Sequence, residues 1–304
     1  MKIKRYIFYC LVITALVISV GCKKNDSDKG ELEKKDKTNV ENLEILGGEI
    51  VKYSVCLDEY TKLGFPIISN QKITSYAIEK IDYAEKDGGE FLQYDAYNMD
   101  LDNVMEYKGK YIYTLVLIYD YDKENRNVIS FDMNNIGLKI NDKLVDYKLN
   151  DVNITNRAYY TKKNDCVFEE GSVKFSGNFI GVRGQIPNAK NEDKAISGFK
   201  PEENNVEIIG FELLDYVDIS NFKVNGEEVA QENINKELVK DEYMGFEYEV
   251  NYKEGVDDTN IVRTSQILKY CEKGKNRAFI LTSGMYIYPF FDELGCIKKY
   301  IDKL

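Results

Sequence analysis

Tyr111-Ile-Tyr-Thr-Leu-Val-Leu-Ile-Tyr119 is a run of β-branched and aromatic side chains unbroken by proline, glycine or charge. Residues of this kind fit a pleated surface, and a short apolar run of them reads as a buried strand. Weaker signals of the same type lie on both sides of it. Upstream, Gly48-Glu-Ile-Val-Lys-Tyr-Ser-Val-Cys56 alternates Ile50, Lys52 and Ser54 against Val51, Tyr53 and Val55. Downstream come Val128–Met133, Leu138–Asp142, Val173–Phe175, Phe179–Val182, Val206–Phe211, Phe222–Gly226, Phe246–Tyr252 and Ala278–Leu281. Short strands at this spacing predict a mainly β chain built as sandwiches, not an open α/β sheet.

Three stretches carry helical spacing. Ile73, Ala77, Ile81 and Ala84 share one helical face, and Asp258 stands where it could cap a helix through Val262, Ser265, Leu268 and Cys271. At the C-terminus Phe290, Leu294, Ile297, Ile301 and Leu304 recur at steps of four and three. There Asp292 and Glu293 open the helix and Lys298, Lys299 and Lys303 close it, which suits the helix dipole.

An internal echo points to two domains. Val128-Ile-Ser-Phe-Asp-Met133 aligns with Ile208-Ile-Gly-Phe-Glu-Leu213, and Leu138–Val145 aligns with Phe222–Val229. Each second segment reads as a strand, an Asn-Asp or Asn-Gly turn, and a return strand. This arrangement resembles the immunoglobulin-like domains of bacterial surface lipoproteins, in which a long central strand precedes a hairpin of this type. The resemblance implies two tandem immunoglobulin-like sandwiches serving as binding or spacer modules, and it brings no functional residues with it. The expected domains are 44–155 and 156–304. Gly184 to Asn205, long, polar and broken by Pro187 and Pro201, is expected to be a loop.

The N-terminus reads as an export signal. Met1-Lys-Ile-Lys-Arg5 is followed by an apolar run from Tyr6 to Val20, then Gly21 and Cys22. A positive start, a short apolar core and a small residue at the cleavage point make a secretory leader, too short for a comfortable membrane span. Ser19-Val20-Gly21-Cys22 resembles the lipobox of bacterial lipoproteins, departing from it at Ser19 where that family usually has leucine. The resemblance implies removal of residues 1–21 and a diacylglycerol on Cys22, which would hold the protein at the extracytoplasmic face of the cell membrane. Residues 22–43 are charged and almost free of apolar side chains. They cannot bury a core and are expected to form a disordered tether with a reach of about 25 Å.

Composition narrows the chemistry. The chain carries 41 basic and 52 acidic residues, and loss of Lys2, Lys4 and Arg5 with the leader takes its net charge from −11 to −14. That disfavours nucleic acid, which needs a basic footprint. Histidine is absent, so Ser-His-Asp and Cys-His catalysis and imidazole-based zinc sites are excluded. Cysteines fall at 10, 22, 56, 166, 271 and 296 with no Cys-x-x-Cys. The four beyond the leader and lipid site suit either one or two disulfides or buried thiols. If one pair is bridged, the short loop between them favours Cys271 with Cys296.

No phosphate-cradling glycine motif is present, and no cofactor is expected. Asp120–Asn127 lacks the glycine and the terminal acid of a calcium loop and reads as a hairpin. Asp95–Asn103 is rich in oxygen donors without a recognisable metal spacing. The first functional reading is a non-catalytic, lipid-anchored binding protein whose partner is an envelope protein, a wall polymer or a glycan. The alternative is a polysaccharide hydrolase working through two carboxylates. An assembly factor for another exported protein is a third.

Overall fold

The computed structural model describes residues 42–57, 61–85, 94–119, 128–163, 175–176, 195–201, 205–240, 242, 244–272, 278–287 and 293–304. Its first half contains β1 (Ile45–Leu46), β2 (Val51–Leu57), β3 (Thr61–Ser69), β4 (Tyr76–Glu85), β5 (Ala96–Met99), β6 (Met105–Tyr107), β7 (Lys110–Tyr119), β8 (Ser130–Ile140), β9 (Lys143–Lys148) and β10 (Asp151–Asn156). Helix α1 (Arg157–Lys163) follows. The second half contains β11 (Phe175–Ser176), β12 (Ala195–Pro201), β13 (Val206–Leu213), β14 (Val217–Val224), β15 (Glu227–Glu228), β16 (Lys236–Leu238), β17 (Met244–Tyr252), β18 (Ile261–Glu272) and β19 (Ala278–Ile287). Helix α2 (Glu293–Lys303) ends the chain. The protein is mainly β, with few helices and several antiparallel sheets, as the strand-rich sequence leads one to expect.

Three sheets form. One orders β1-β3-β7-β5 with β6 also on β7, and another orders β11-β12-β17-β14-β15. Between them runs a nine-stranded sheet ordered β16-β13-β18-β2-β10-β8-β4, with β19 on β18 and β9 on β8. Its strands come from both halves of the chain. The join is β2, which pairs in parallel with β10 on one side and with the start of β18 on the other. The expected boundary at 155/156 is therefore crossed by a continuous sheet, and residues 42–304 make one compact unit instead of two separate domains.

Register at this join decides where the cores lie. Val51 pairs with Ile261, and both enter the first core beside Tyr53, Val55, Phe65 and Leu117. One residue on, Lys52 pairs with Val262, which belongs to the second core with Leu268, Tyr270, Phe211 and Phe246. Successive side chains of a strand point to opposite faces. The two cores thus lie on opposite faces of one sheet, each closed by its own small sheet.

Two expected helices are strands. Residues 73–84 contain β4, which pairs along β8 with two irregularities. Glu79 is an extra residue on β4 and Asn134 an extra residue on β8, so Ile78, Ile81 and Tyr83 all face the first core. A bulge turns a period of two into a step of three, and that step imitates a helix. Residues 261–272 form β18, which is covered on both faces. Apolar side chains then occur at every phase, and a helical subset can be picked out of them.

The internal echo holds only for its hairpins. Asn141-Asp142 and Asn225-Gly226 both have left-handed φ, at 49° and 63° and at 50° and 83°. Both residues of a type I′ hairpin need positive φ, which asparagine, aspartate and glycine tolerate best. The preceding segments differ: Ser130–Met133 and Leu138–Ile140 lie on one strand, β8, whereas Val206–Leu213 and Val217–Val224 are separate strands in different sheets. The expected hairpin at Asp120–Asn127 lies outside the described residues. Within the expected loop 184–205, Ala195–Pro201 form β12 against β17.

Helix α2 is the helix that sequence periodicity foresaw. Cys296, Ile297 and Ile301 enter the first core. Polar contacts hold its rim: Lys299 Nζ to Asp258 at 2.8 Å, Lys303 Nζ to Asp257 at 3.2 Å, and Asp302 to both Tyr107 and Lys108 at 3.0 and 2.7 Å. Exposed ion pairs of this kind contribute little to stability. Ile297→Ala is expected to lower unfolding stability by about 2–5 kcal/mol, and Lys299→Ala by about 1 kcal/mol or less. Urea unfolding of the two variants checks this, and equal losses would show that the ion pairs carry the helix.

Candidate functional site

On the first half of the shared sheet, no small sheet among the described residues covers the face turned away from the first core. Register places its side chains. Lys80 and Asp82 of β4 lie across from Gly137 and Asn135 of β8, and Asp146 and Lys148 of β9 lie across from the same two residues on the other side. With Asn134, Leu149 and Asn150 they line an open groove of about 540 Å³. The extra residue Asn134 sits at its edge, and bulges commonly re-aim side chains next to sites. Gly137 keeps the middle clear: a Cβ there would stand 2.8 Å from Lys80 Cγ.

Asn135 organises the groove. Its Nδ2 donates to Asp82 Oδ2 at 3.0 Å and to Asp146 Oδ1 at 3.2 Å. Ionised carboxylates only accept, so the amide must present its nitrogen to both. Its Oδ1 is left out of solvent with no donor among the described residues. Lys80 Nζ donates to Asp82 Oδ2 at 2.9 Å. The Asn135 amide and then Lys80 hold the Asp82 carboxyl below its ordinary range, and Asp82 in turn raises the Lys80 ammonium. Among the described residues, no hydrogen bond or ion pair engages the side chains of Asn134, Lys148 or Asn150, which remain available at the rim.

The same face continues toward the second half. Asn153 Nδ2 donates to Asp132 Oδ1 at 3.2 Å, and Lys52 pairs with Asp151 across β2 and β10. Tyr216, in the turn between β13 and β14 with φ of 73°, closes that end. Burial, and then the charges of Asp151, Asp215 and Asp132, push its hydroxyl pKa up.

Two other features compete. A smaller groove of about 230 Å³ on the third sheet is lined by Asn221, Lys223, Glu228, Glu247, Tyr248 and Glu249. Where the edges of β4 and β5 meet, Tyr76, Tyr97 and Tyr94 form a strip with centroid spacings of 6.0 and 5.8 Å. Those rings pack edge to face on each other, and the Tyr76 hydroxyl accepts the Met99 N–H at 2.7 Å.

The chain matches no protein-family model and no curated protein.

The residues singled out from sequence fare as follows. Cys22, its tether as far as residue 41, and Cys166 lie outside the described residues, while Leu43 at the tether's expected end packs against the first core. Cys271 and Cys296 are not joined. Cys296 lies in the first core, one helical turn before Lys299, which meets Asp258 just ahead of β18. An extended strand advances about 3.3 Å per residue, so Cys271 stands on the order of 30 Å further along, far beyond disulfide reach. Burial pushes the Cys271 thiol pKa up. In the oxygen-rich stretch Asp95–Asn103, Asp100 caps its own turn: its carboxylate accepts from the Asp102 and Asn103 N–H groups at 3.0 and 3.2 Å and from Asn103 Nδ2 at 2.6 Å. Among the described residues, no three Asp, Glu or Cys side chains are placed to hold a metal ion.

Sequence reading missed the groove because its residues are mostly ordinary charged and amide side chains on three separate stretches. The one available signal was the pair Asn134-Asn135 inside an otherwise alternating strand.

Asn135→Ala is expected to raise the Asp82 pKa toward its ordinary value of 3.8. A depressed carboxylate pKa stabilises the fold above the ordinary carboxylate range, and that contribution is lost as pH falls through the folded-state pKa. The stability gap between wild type and variant should therefore be present at neutral pH and close on acidification below the folded-state pKa. Carboxylate NMR titration with urea melts at several pH values checks both; a gap that widens in acid would contradict the assignment.

Proposed function

We propose that this is a non-catalytic binding protein held at the extracytoplasmic face of a bacterial membrane by lipid on Cys22. The observation that carries the binding part is the groove of β4, β8 and β9, where Asn135 pre-orients two carboxylates on an open sheet face. Preorganised polar groups lower the cost of ordering on binding. The anchoring part rests on the leader and on Val20-Gly21-Cys22. No helix among the described residues is long and apolar enough to cross a membrane.

The hydrolase reading requires one carboxyl with a raised pKa to protonate the leaving oxygen. Asp82 is shifted the other way by Asn135 and Lys80, which suits an acceptor better than an acid.

Expression of the full chain in a bacterium tests the anchor. Wild type should fractionate with membranes and yield an N-terminal peptide that begins at Cys22 and carries diacylglycerol. Cys22→Ser should lose the lipid and keep Met1 through Gly21. Wild type recovered with an unmodified Cys22 would sink this reading.

A further inference from the structure

Resting on the binding reading above, we infer that the groove of β4, β8 and β9 holds an uncharged glycan. Its lining balances two lysines, Lys80 and Lys148, against two aspartates, Asp82 and Asp146. In a chain of net charge −11 this patch is locally neutral. An anion would meet as much repulsion as attraction there, and so would a cation. With no group of three acids or thiols among the described residues, a divalent ion also lacks its ligand set.

A neutral ligand matched to these groups must both donate and accept at short intervals. Ionised carboxylates accept only, ammonium groups donate only, and amides do both. A sugar presents hydroxyls that are donor and acceptor at once, which suits such a mixture. The groove's volume of about 540 Å³ falls within the range of small-ligand sites. Apolar surface for the C–H face of a ring is present in Leu144 of β9, which is 75% exposed and on the same face as Asp146.

Asn135 is a positioning residue. Its amide N–H groups bond to both Asp82 and Asp146, while its own Oδ1 has no donor among the described residues. The contacts to ligand come from Asp82, Asp146, Lys148 and the free amides of Asn134 and Asn150. The tyrosine strip is the weaker candidate, because its rings and the Tyr76 hydroxyl are already engaged with each other and with the backbone.

Calorimetric titration of the full-length protein in a non-glycosidic detergent tests this. The probes are maltotriose, cellotriose and chitotriose, with inorganic phosphate and calcium chloride as charged controls. At least one trisaccharide should bind saturably in the millimolar range or better. Asp146→Asn and Lys148→Met should each weaken it about tenfold or more, the scale of one hydrogen bond to a charged group. Asn135→Ala should weaken it as well and should move the pH midpoint of binding upward with the Asp82 pKa. Tyr97→Ala should leave it unchanged, and thermal melts should show all four variants folded. No saturable binding by any of the three sugars overturns the inference. So does binding that survives the groove substitutions, binding lost in Tyr97→Ala alone, or tighter binding of phosphate or calcium. Release of new reducing ends from a bound trisaccharide would overturn the non-catalytic reading instead and leave the glycan site standing.

Discussion

Everything in this molecule depends on one short parallel pairing, Val51 to Ser54 of β2 against Ile261 to Thr264 of β18. It joins strands about 210 residues apart in sequence, and long-range parallel pairing of that kind is costly in loop entropy. What stabilises it is burial on both faces. Val51, Tyr53 and Ile261 go into one core, and Val262 goes into the other. Where the pairing ends, the Cys56 N–H turns to Ser265 Oγ at 3.0 Å, so the strands part without an orphaned donor. Arg263 reaches from the same strand to the Lys62 carbonyl of the first small sheet.

That join also makes the groove. Because the second small sheet covers the opposite face only over the C-terminal strands, the same face stays open over β4, β8 and β9. A sheet face left to water would ordinarily hold charged residues without order. Here bulges at Glu79 and Asn134 change the phase of β4 and β8 while keeping Ile78, Ile81, Met133 and Ile136 inward. Bulges on an edge strand also protect it from pairing with another chain.

The two misread helices show what local pattern can and cannot carry. Tyr111–Tyr119, Phe246–Tyr252 and Ala278–Leu281 were legible as strands because their β-branched and aromatic content needs no phase to interpret. The C-terminal helix was legible because its apolar stripe and its end charges agree. β4 was not, since a bulge inserts a residue that no short-range rule announces. β18 was not, since a strand covered on both faces has no polar side to set its period. The tandem-domain expectation failed for a related reason: two hairpins can look alike while the strands before them belong to different sheets. The groove was the least legible feature. Its members are spread from Lys80 to Asn150, and nothing in any one stretch marks them.

By itself the sequence determined the class of the protein and much of its chemistry. Strand-rich composition dictates sheets, the absence of histidine excludes imidazole catalysis, and Asn-Asp and Asn-Gly place the two tight turns, because each of these is a property of residues close in the chain. Tertiary structure alone decided that one sheet serves two cores, that Cys271 and Cys296 stand far apart, and that Lys80, Asp82, Asn135 and Asp146 meet. Those outcomes depend on register between distant strands. Register is selected by which face each strand must bury, and a strand has no such face until its neighbours are in place.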